Sequence, residues 1–302
     1  MHSAPLSRWF GIILMLVIAA VMGANHIAAR IAFDHGVNVT TAVTIRSGVT
    51  ALAVLALLLA SGVRVWVPAL TLRRAVGIGV LVAVQSYCLY SSVARIPVVL
   101  ALLVFNIYPM LLTLLSWATG GPRPSPVALG AMLVALLGLA LALDVTGRTG
   151  NIAGDLASRW QEIGAGVSYA ITAALAFSLV MYLSGRWLMQ VDGRLRSCLA
   201  MATCALIIGG AGVLTGSLAA PADNAGWLGL SLLTVLYGSG ITAMFMVLPR
   251  IAVTSDTGVL NFEPVAALFM GWLLLGQSLS LLQGIGAIIV IGAIIVLGTA
   301  KR

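Results

Sequence analysis

The sequence predicts an all-α integral membrane fold, with ten transmembrane helices arranged as two inverted five-helix repeats. Three observations predict it: the scarcity of charge, the length and number of the apolar runs, and a pattern that recurs at a fixed offset. Of the 302 residues 8% are charged and 61% hydrophobic, against roughly 25% and roughly 45–50% in a typical soluble domain. So few charges cannot cover a water-facing surface.

A helix rises about 1.5 Å per residue, so about 20 apolar residues cross a hydrocarbon core about 30 Å thick. Runs of that length lie at 10–33, 40–60, 75–94, 97–118, 126–145, 163–184, 197–218, 226–248, 256–276 and 279–299, numbered here as spans 1 to 10. The longest stretch between them, 146–162, is too short to fold as a separate domain. Span 1 follows Arg8 as a signal peptide would, but it continues to Phe33 and has a counterpart in the second half, so it reads as a helix.

The net charge of +8 would suggest nucleic acid as the partner of a soluble protein. Here the cations sit in short loops and report topology, and the expected partner is the lipid bilayer, with no nucleic acid. With the N-terminus in the cytoplasm, the inner side collects Arg8, Arg64, Arg73, Arg74, Arg123, Arg186, Arg194, Arg196, Arg250, Lys301 and Arg302. The outer side collects Arg95, Arg148 and Arg159, while Arg30 and Arg46 lie inside spans. By the positive-inside rule both termini are expected in the cytoplasm, and the membrane is expected to be the cell inner membrane. The seven tryptophans fall at or near span ends, as an interfacial aromatic belt requires. Cys88, Cys198 and Cys204 lie within spans and read as small packing residues.

Sliding the sequence against itself by 155 residues aligns 95–121 with 250–276 without a gap. The shift pairs Arg95 with Arg250, Asn106 with Asn261, Pro109 with Pro264, Trp117 with Trp272 and Gly121 with Gly276. Two spans thereby share Asn-x-x-Pro, as Asn106-Ile107-Tyr108-Pro109 and Asn261-Phe262-Glu263-Pro264. Residues 1–150 and 151–302 are read as the two five-helix repeats. Five is odd, so the second repeat enters the membrane from the opposite side. Inverted repeats of this kind are typical of secondary transporters, whose sites lie near the midplane where the repeats meet.

With ten spans, Thr44-Ile45-Arg46-Ser47 opening span 2, and proline-centred spans 4 and 9, the chain resembles the drug/metabolite transporter superfamily in its form with two EamA-type repeats. Within it, the bacterial aromatic amino acid exporters are the most similar. The resemblance covers nearly the whole length and implies a basket of helices around a central cavity lined by spans 1, 3, 4, 6, 8 and 9, working by alternating access as a monomer, without a cofactor.

The residues make the same division. Spans 2, 5, 7 and 10 contain no aromatic residue, whereas Tyr87, Tyr90, Tyr108, Tyr169, Tyr182 and Tyr237 all fall on spans 3, 4, 6 and 8. A phenol needs a hydrogen-bond partner that lipid cannot offer. Spans 1, 3, 4, 6, 8 and 9 also carry Asn25, His26, Gln85, Asn106, Ser168, Ser178, Ser239, Asn261 and Glu263, while spans 2, 5, 7 and 10 read as a lipid-facing frame. The substrate contacts are expected among Asn25, His26, Gln85, Tyr87, Tyr90, Phe105, Asn106, Tyr108, Phe177, Tyr237, Ser239, Asn261 and Glu263. For each polar member the alternative is a bond that only ties neighbouring helices together.

Pro109 and Pro264 each free a backbone carbonyl one turn earlier, at Phe105 and Leu260. They read as hinges beside the substrate, with static packing kinks as the alternative. Glu263 is the one carboxylate well inside a span, a functional position by default, with His26, Arg30 and Arg46 as its possible partners. Asn261 and Glu263 differ by two positions, about 200° around a regular helix, so the two do not face the same way.

Enzyme chemistry finds no footing here: the sequence lacks Asp-x-x-Asp, His-x-x-x-His and Cys-x-x-Cys. A primary pump would need a Gly-x-x-x-x-Gly-Lys loop, and the sole lysine is Lys301. No metal or cofactor is expected. Nucleotide sugars and other multiply charged anions call for clustered Lys or Arg in the cavity. Aromatic rings with amides and hydroxyls suit neutral, apolar or aromatic amino acids, with organic cations or drugs as the second choice.

Overall fold

The structure is a computed structural model that describes residues 8–62, 65–142, 156–247, 263–276 and 280–299. Every regular element among them is a helix: α1 (Arg8–Asp34), α2 (Val39–Ala60), α3 (Ala69–Val93), α4 (Val98–Phe105), α5 (Tyr108–Ala118), α6 (Pro126–Ala142), α7 (Leu156–Trp187), α8 (Gly193–Leu214), α9 (Asn224–Val247), α10 (Glu263–Leu275) and α11 (Leu281–Thr299). Ten spans become eleven helices because span 4 breaks at Asn106–Ile107 into α4 and α5. Pro109, within the first two positions of α5, has no N–H to continue the α4 ladder. Among the described residues, seven helical spans are long and apolar enough to cross a membrane, and 126–142 and 281–293 are shorter apolar helices. The six tryptophans with described side chains are all exposed.

The packing has the symmetry of an inverted repeat. Exchanging α1 with α7, α2 with α8, α3 with α9, α4–α5 with α10 and α6 with α11 maps the most extensive helix contacts onto one another. Thus α1 packs on α9 as α7 packs on α3, α2 packs on α9 as α8 packs on α3, and α1 packs on α10 as α7 packs on α4 and α5. The pairs α2–α8, α4–α10 and α6–α11 sit across the axis. Each span packs most extensively against the other half, so neither repeat buries its own interior.

Lipid offers no hydrophobic drive for helices to pair, so contact depends on close backbone approach at small residues. A methyl group on Gly286 of α11 would lie 2.6 Å from the Gly138 carbonyl oxygen of α6, and one on Gly138 would lie 3.0 Å from the Gly286 carbonyl oxygen. One on Gly23 of α1 would lie 3.1 Å from the carbonyl oxygen of Glu263, which fixes where α10 starts against α1.

Helix ends carry a second trace of the repeat. Both α2 and α8 are 22 residues long. Asn38 caps the first by accepting from the Thr41 N–H at 2.8 Å, and Asp192 caps the second by accepting from the Arg194 N–H at 2.8 Å. Each ends two residues before a glycine at φ +64°, Gly62 or Gly216, a left-handed turn that costs glycine little. These pairs are 154 positions apart, one fewer than the Asn-x-x-Pro pairs. The hydrogen bond from the Arg194 side chain, with its backbone N–H, holds the Asp192 carboxyl below the usual carboxylate range.

Several boundaries differ from those expected. Span 7 runs 193–214 instead of 197–218 because the Asp192 cap and Gly216 decide its ends, whatever the hydropathy. Span 3 starts at Ala69, since Arg73 and Arg74 extend the helix beyond its apolar run, and α7 has 32 residues, about 48 Å at about 1.5 Å each. The lipid-facing frame is also only partly as expected. On α6 and α11, Leu133, Leu137 and Ile288 are exposed. Helix α2 turns Leu52 and Leu59 outward but buries Thr41, Arg46, Ser47 and Thr50 against its neighbours. It belongs to the interior on that face.

Candidate functional site

The polar interior is built from α1, α2, α3, α9 and α10. On α1, Asn25 and His26 are buried two turns before the helix ends. Asn25 and Tyr90 of α3 exchange hydrogen bonds, Nδ2 to Oη at 2.9 Å and Oη to Oδ1 at 3.2 Å. His26 Nε2 lies 3.0 Å from Glu263 Oε1 at the start of α10. The His26 ring is also 5.7 Å from the Tyr90 ring, between centroids. The Glu263 side chain is 28% exposed and that of His26 5%, so the carboxylate is the end of the pair open to a ligand.

Arg46 joins this group from α2. Its Nη1 donates to Tyr90 Oη at 3.1 Å and its Nη2 to Ser86 Oγ at 2.9 Å. Ser86 in turn donates to Gln85 Oε1 at 3.3 Å. The guanidinium lies over the Tyr237 ring at 3.8 Å and the Tyr90 ring at 4.7 Å from their centroids. A delocalised cation thus lies against two aromatic rings. Tyr237 Oη reaches Met201 Sδ at 3.5 Å.

The second cluster is aromatic and sits at the break in span 4. Phe105 ends α4, Tyr108 begins α5, and Phe177 of α7 covers both. The ring centroids are 5.6 Å apart for Phe105–Tyr108, 5.4 Å for Phe105–Phe177 and 4.8 Å for Tyr108–Phe177. Helix α10, which begins at Glu263, packs on α4, which ends at Phe105. Asn106, buried between the rings' anchor points, turns its Nδ2 back to the Leu102 carbonyl at 2.7 Å. In this conformation its amide serves its own helix end.

The expected residues therefore divide. Asn25, His26, Gln85, Tyr90, Tyr237 and Glu263 fall in the polar network, and Phe105, Tyr108 and Phe177 in the aromatic group. Tyr87 is half-buried on α3. Ser239 is exposed and donates to the Leu236 carbonyl of its own helix, two positions and about 200° from Tyr237. Ser168 and Ser178 likewise donate within α7. Asn261 lies outside the described residues. Pro264 is the second residue of α10, the position in its helix that Pro109 holds in α5.

Of the three partners considered for Glu263, the structure selects His26. Arg30 instead binds Asp34 one turn on, Nε to Oδ1 at 2.9 Å, and donates to the Val93 carbonyl. Arg46 was expected near the end of a frame helix and is instead among the most enclosed side chains of the site, 2% exposed. The signal available for it was the stripe Arg46, Ser47, Thr50 on one face of span 2, at helical spacing. A division of spans by aromatic content passes over it.

No curated protein gives a significant match to the sequence. A solved crystal structure is similar to this chain over 96% of both chains, at 19% identity and a TM-score of 0.66, a likeness of fold. The EamA-like transporter family matches twice, over residues 9–143 and 164–299. The chain belongs to the EamA-like transporter family, as a multi-pass membrane protein carrying two EamA repeats.

Proposed function

We propose that the protein exports neutral, apolar or aromatic amino acids and similar small metabolites across the cell inner membrane by alternating access, as the bacterial aromatic amino acid exporters do. The observation that carries this reading is that both signs of charge reach one polar network, Arg46 through Tyr90 and Glu263 through His26, whose rings lie 5.7 Å apart. Glu263 offers a carboxylate for an ammonium, Arg46 a guanidinium for a carboxylate, and Phe105, Tyr108 and Phe177 offer ring faces for an apolar side chain. A zwitterion with an apolar side chain needs those three and little else. The protein works as a monomer with both termini in the cytoplasm, and the two repeats exchange conformations about the shared site.

The partial exposure of the Glu263 carboxylate also favours a second reading, export of organic cations. Cells overproducing the protein test the choice. They are expected to excrete several apolar or aromatic amino acids and to tolerate their toxic analogues. Resistance to cationic dyes without amino acid excretion selects the second reading.

A further inference from the structure

Arg46 is a permanent cation enclosed at membrane depth, about 10 Å along α2 from its start at about 1.5 Å per residue. Everything it touches is neutral: the Tyr90 and Ser86 hydroxyls and the rings of Tyr90 and Tyr237. Among the described residues, the carboxylates of α10 and α1 are engaged elsewhere, Glu263 with His26 and Asp34 with Arg30. A buried charge is normally compensated by an opposite charge, since leaving it alone in a low dielectric is costly.

Two donors on this face of α2 have no partner among the described residues. They are Arg46 Nε and, one turn on, Thr50 Oγ1. Positions four apart share a helix face, here the face packed on α9. Opposite Thr50 stands Gly238, where a methyl group would lie 3.4 Å from Thr50 Oγ1, so a larger residue would press on the hydroxyl. A cationic N–H and a hydroxyl one turn apart on one helix face, neither with an acceptor, offer the donor set of a monovalent anion site.

We propose that Arg46 and Thr50 form an anion subsite that receives the carboxylate of the transported amino acid. The assignment rests on the amino acid reading above and adds its carboxylate contact. In the conformation seen here the subsite is closed, since Arg46 is 2% exposed and the Tyr237 ring covers one face of its guanidinium. The Tyr237 hydroxyl is held by a thioether, a weak acceptor, which lets the ring withdraw when the substrate enters. Arg46 and Glu263 then bind opposite ends of the substrate, on either side of the Tyr90 and His26 rings.

Counterflow of labelled phenylalanine into proteoliposomes, competed by unlabelled phenylalanine, its carboxamide or 2-phenylethylamine, tests this. The wild-type protein is expected to prefer the acid over the other two by about tenfold or more, the size of one charge-assisted contact. In Arg46→Gln the preference falls to near one, and Arg46→Lys restores part of it. Thr50→Val, which leaves the guanidinium and its partners in place, lowers the preference severalfold and serves if Arg46→Gln does not fold. Equal loss of transport for all three compounds, with the wild-type ratio kept in Thr50→Val, overturns the subsite and makes Arg46 a structural tie. Replacing chloride by gluconate separates a free anion from a substrate carboxylate: a ratio set by chloride overturns the carboxylate assignment. A wild-type protein that carries no amino acid defeats the amino acid reading itself, which the variants do not touch.

Discussion

His26 and Glu263, 237 positions apart, meet at 3.0 Å between Nε2 and Oε1 and tie α1 of the first repeat to α10 of the second. The approach depends on Gly23, one turn before His26, where any side chain would press on the backbone of Glu263. His26 Nδ1 is buried without a partner among the described residues. The pair therefore has one anchored bond and a carboxylate that a cationic ligand or a proton can claim.

That arrangement makes Glu263 the position where coupling and structure separate. Glu263→Gln keeps the shape and the bond to His26 but removes the titration, so it is expected to abolish pH-driven accumulation while passive exchange continues. Uptake with and without an imposed pH gradient measures both. If the two modes fall together with thermal stability, the pair is a fixed tie between repeats.

The break in span 4 makes Pro109 a hinge to be tested with its counterpart. Pro109→Ala returns a backbone N–H at the start of α5 and is expected to fuse α4 with α5, and Pro264→Ala does the corresponding change in the second repeat. The two are expected to bias the carrier toward opposite facing states, because inverted repeats exchange conformations. Cysteines engineered at the inner and outer mouths report it as labelling gained on one side by one variant and lost there by the other. Unchanged labelling in both reduces the prolines to packing kinks.

Much of this was legible in the sequence, and the misses have physical causes. The fold rests on charge scarcity and run length, which lipid enforces, and on matched Asn, Pro and Trp residues that apolar helices do not share by accident. The aromatic group was legible because phenols and large rings seek an interior. Arg46 was not, because an arginine near the end of a span can reach water as easily as turn inward, and packing of α2 on α3 and α9 decides between the two. The Asn106 bond to Leu102 was hidden for a related reason: packing decides whether the amide turns to a neighbour or back onto its own helix. The caps at Asn38 and Asp192, with Gly62 and Gly216, were present as signals but lay at an offset of 154, and a search at a single offset misses them.

Close approach of α6 and α11 gives a stability prediction. Gly286→Leu forces the helices apart at Gly138 and Ala142 and is expected to lower thermal stability in detergent by about 1–3 kcal/mol, the usual cost of overpacking. The distant Gly77, with open space beyond its Cα, is expected to accept alanine without loss.

On the face expected to be extracellular, Asp223 accepts the Gly226 N–H and meets His35 at 2.8 Å, joining the turn after α1 to the start of α9. The Gly226 N–H first, and then His35, hold its carboxyl below the ordinary value of 3.8. A depressed carboxylate stabilises the fold above its unfolded pKa, and that contribution is lost as pH falls through the lower folded value. Melting temperature is expected to fall below about pH 4 in the wild type and less steeply in Asp223→Asn. Parallel curves for the two proteins contradict this.

Orientation is tested by single cysteines in intact cells. A membrane-impermeant reagent is expected to miss positions beside Arg194 and reach positions beside Thr149, as the distribution of cations requires.

The shared interior of the two repeats is proposed to carry amino acids. Uptake of labelled phenylalanine, an organic cation and a nucleotide sugar into proteoliposomes of the purified protein, with and without a pH gradient, tests it most directly. Saturable phenylalanine uptake is expected, which other apolar amino acids compete away and nucleotide sugars leave unchanged. Exchange of nucleotide sugars, or of the cation alone, with no amino acid uptake under either condition, would contradict it.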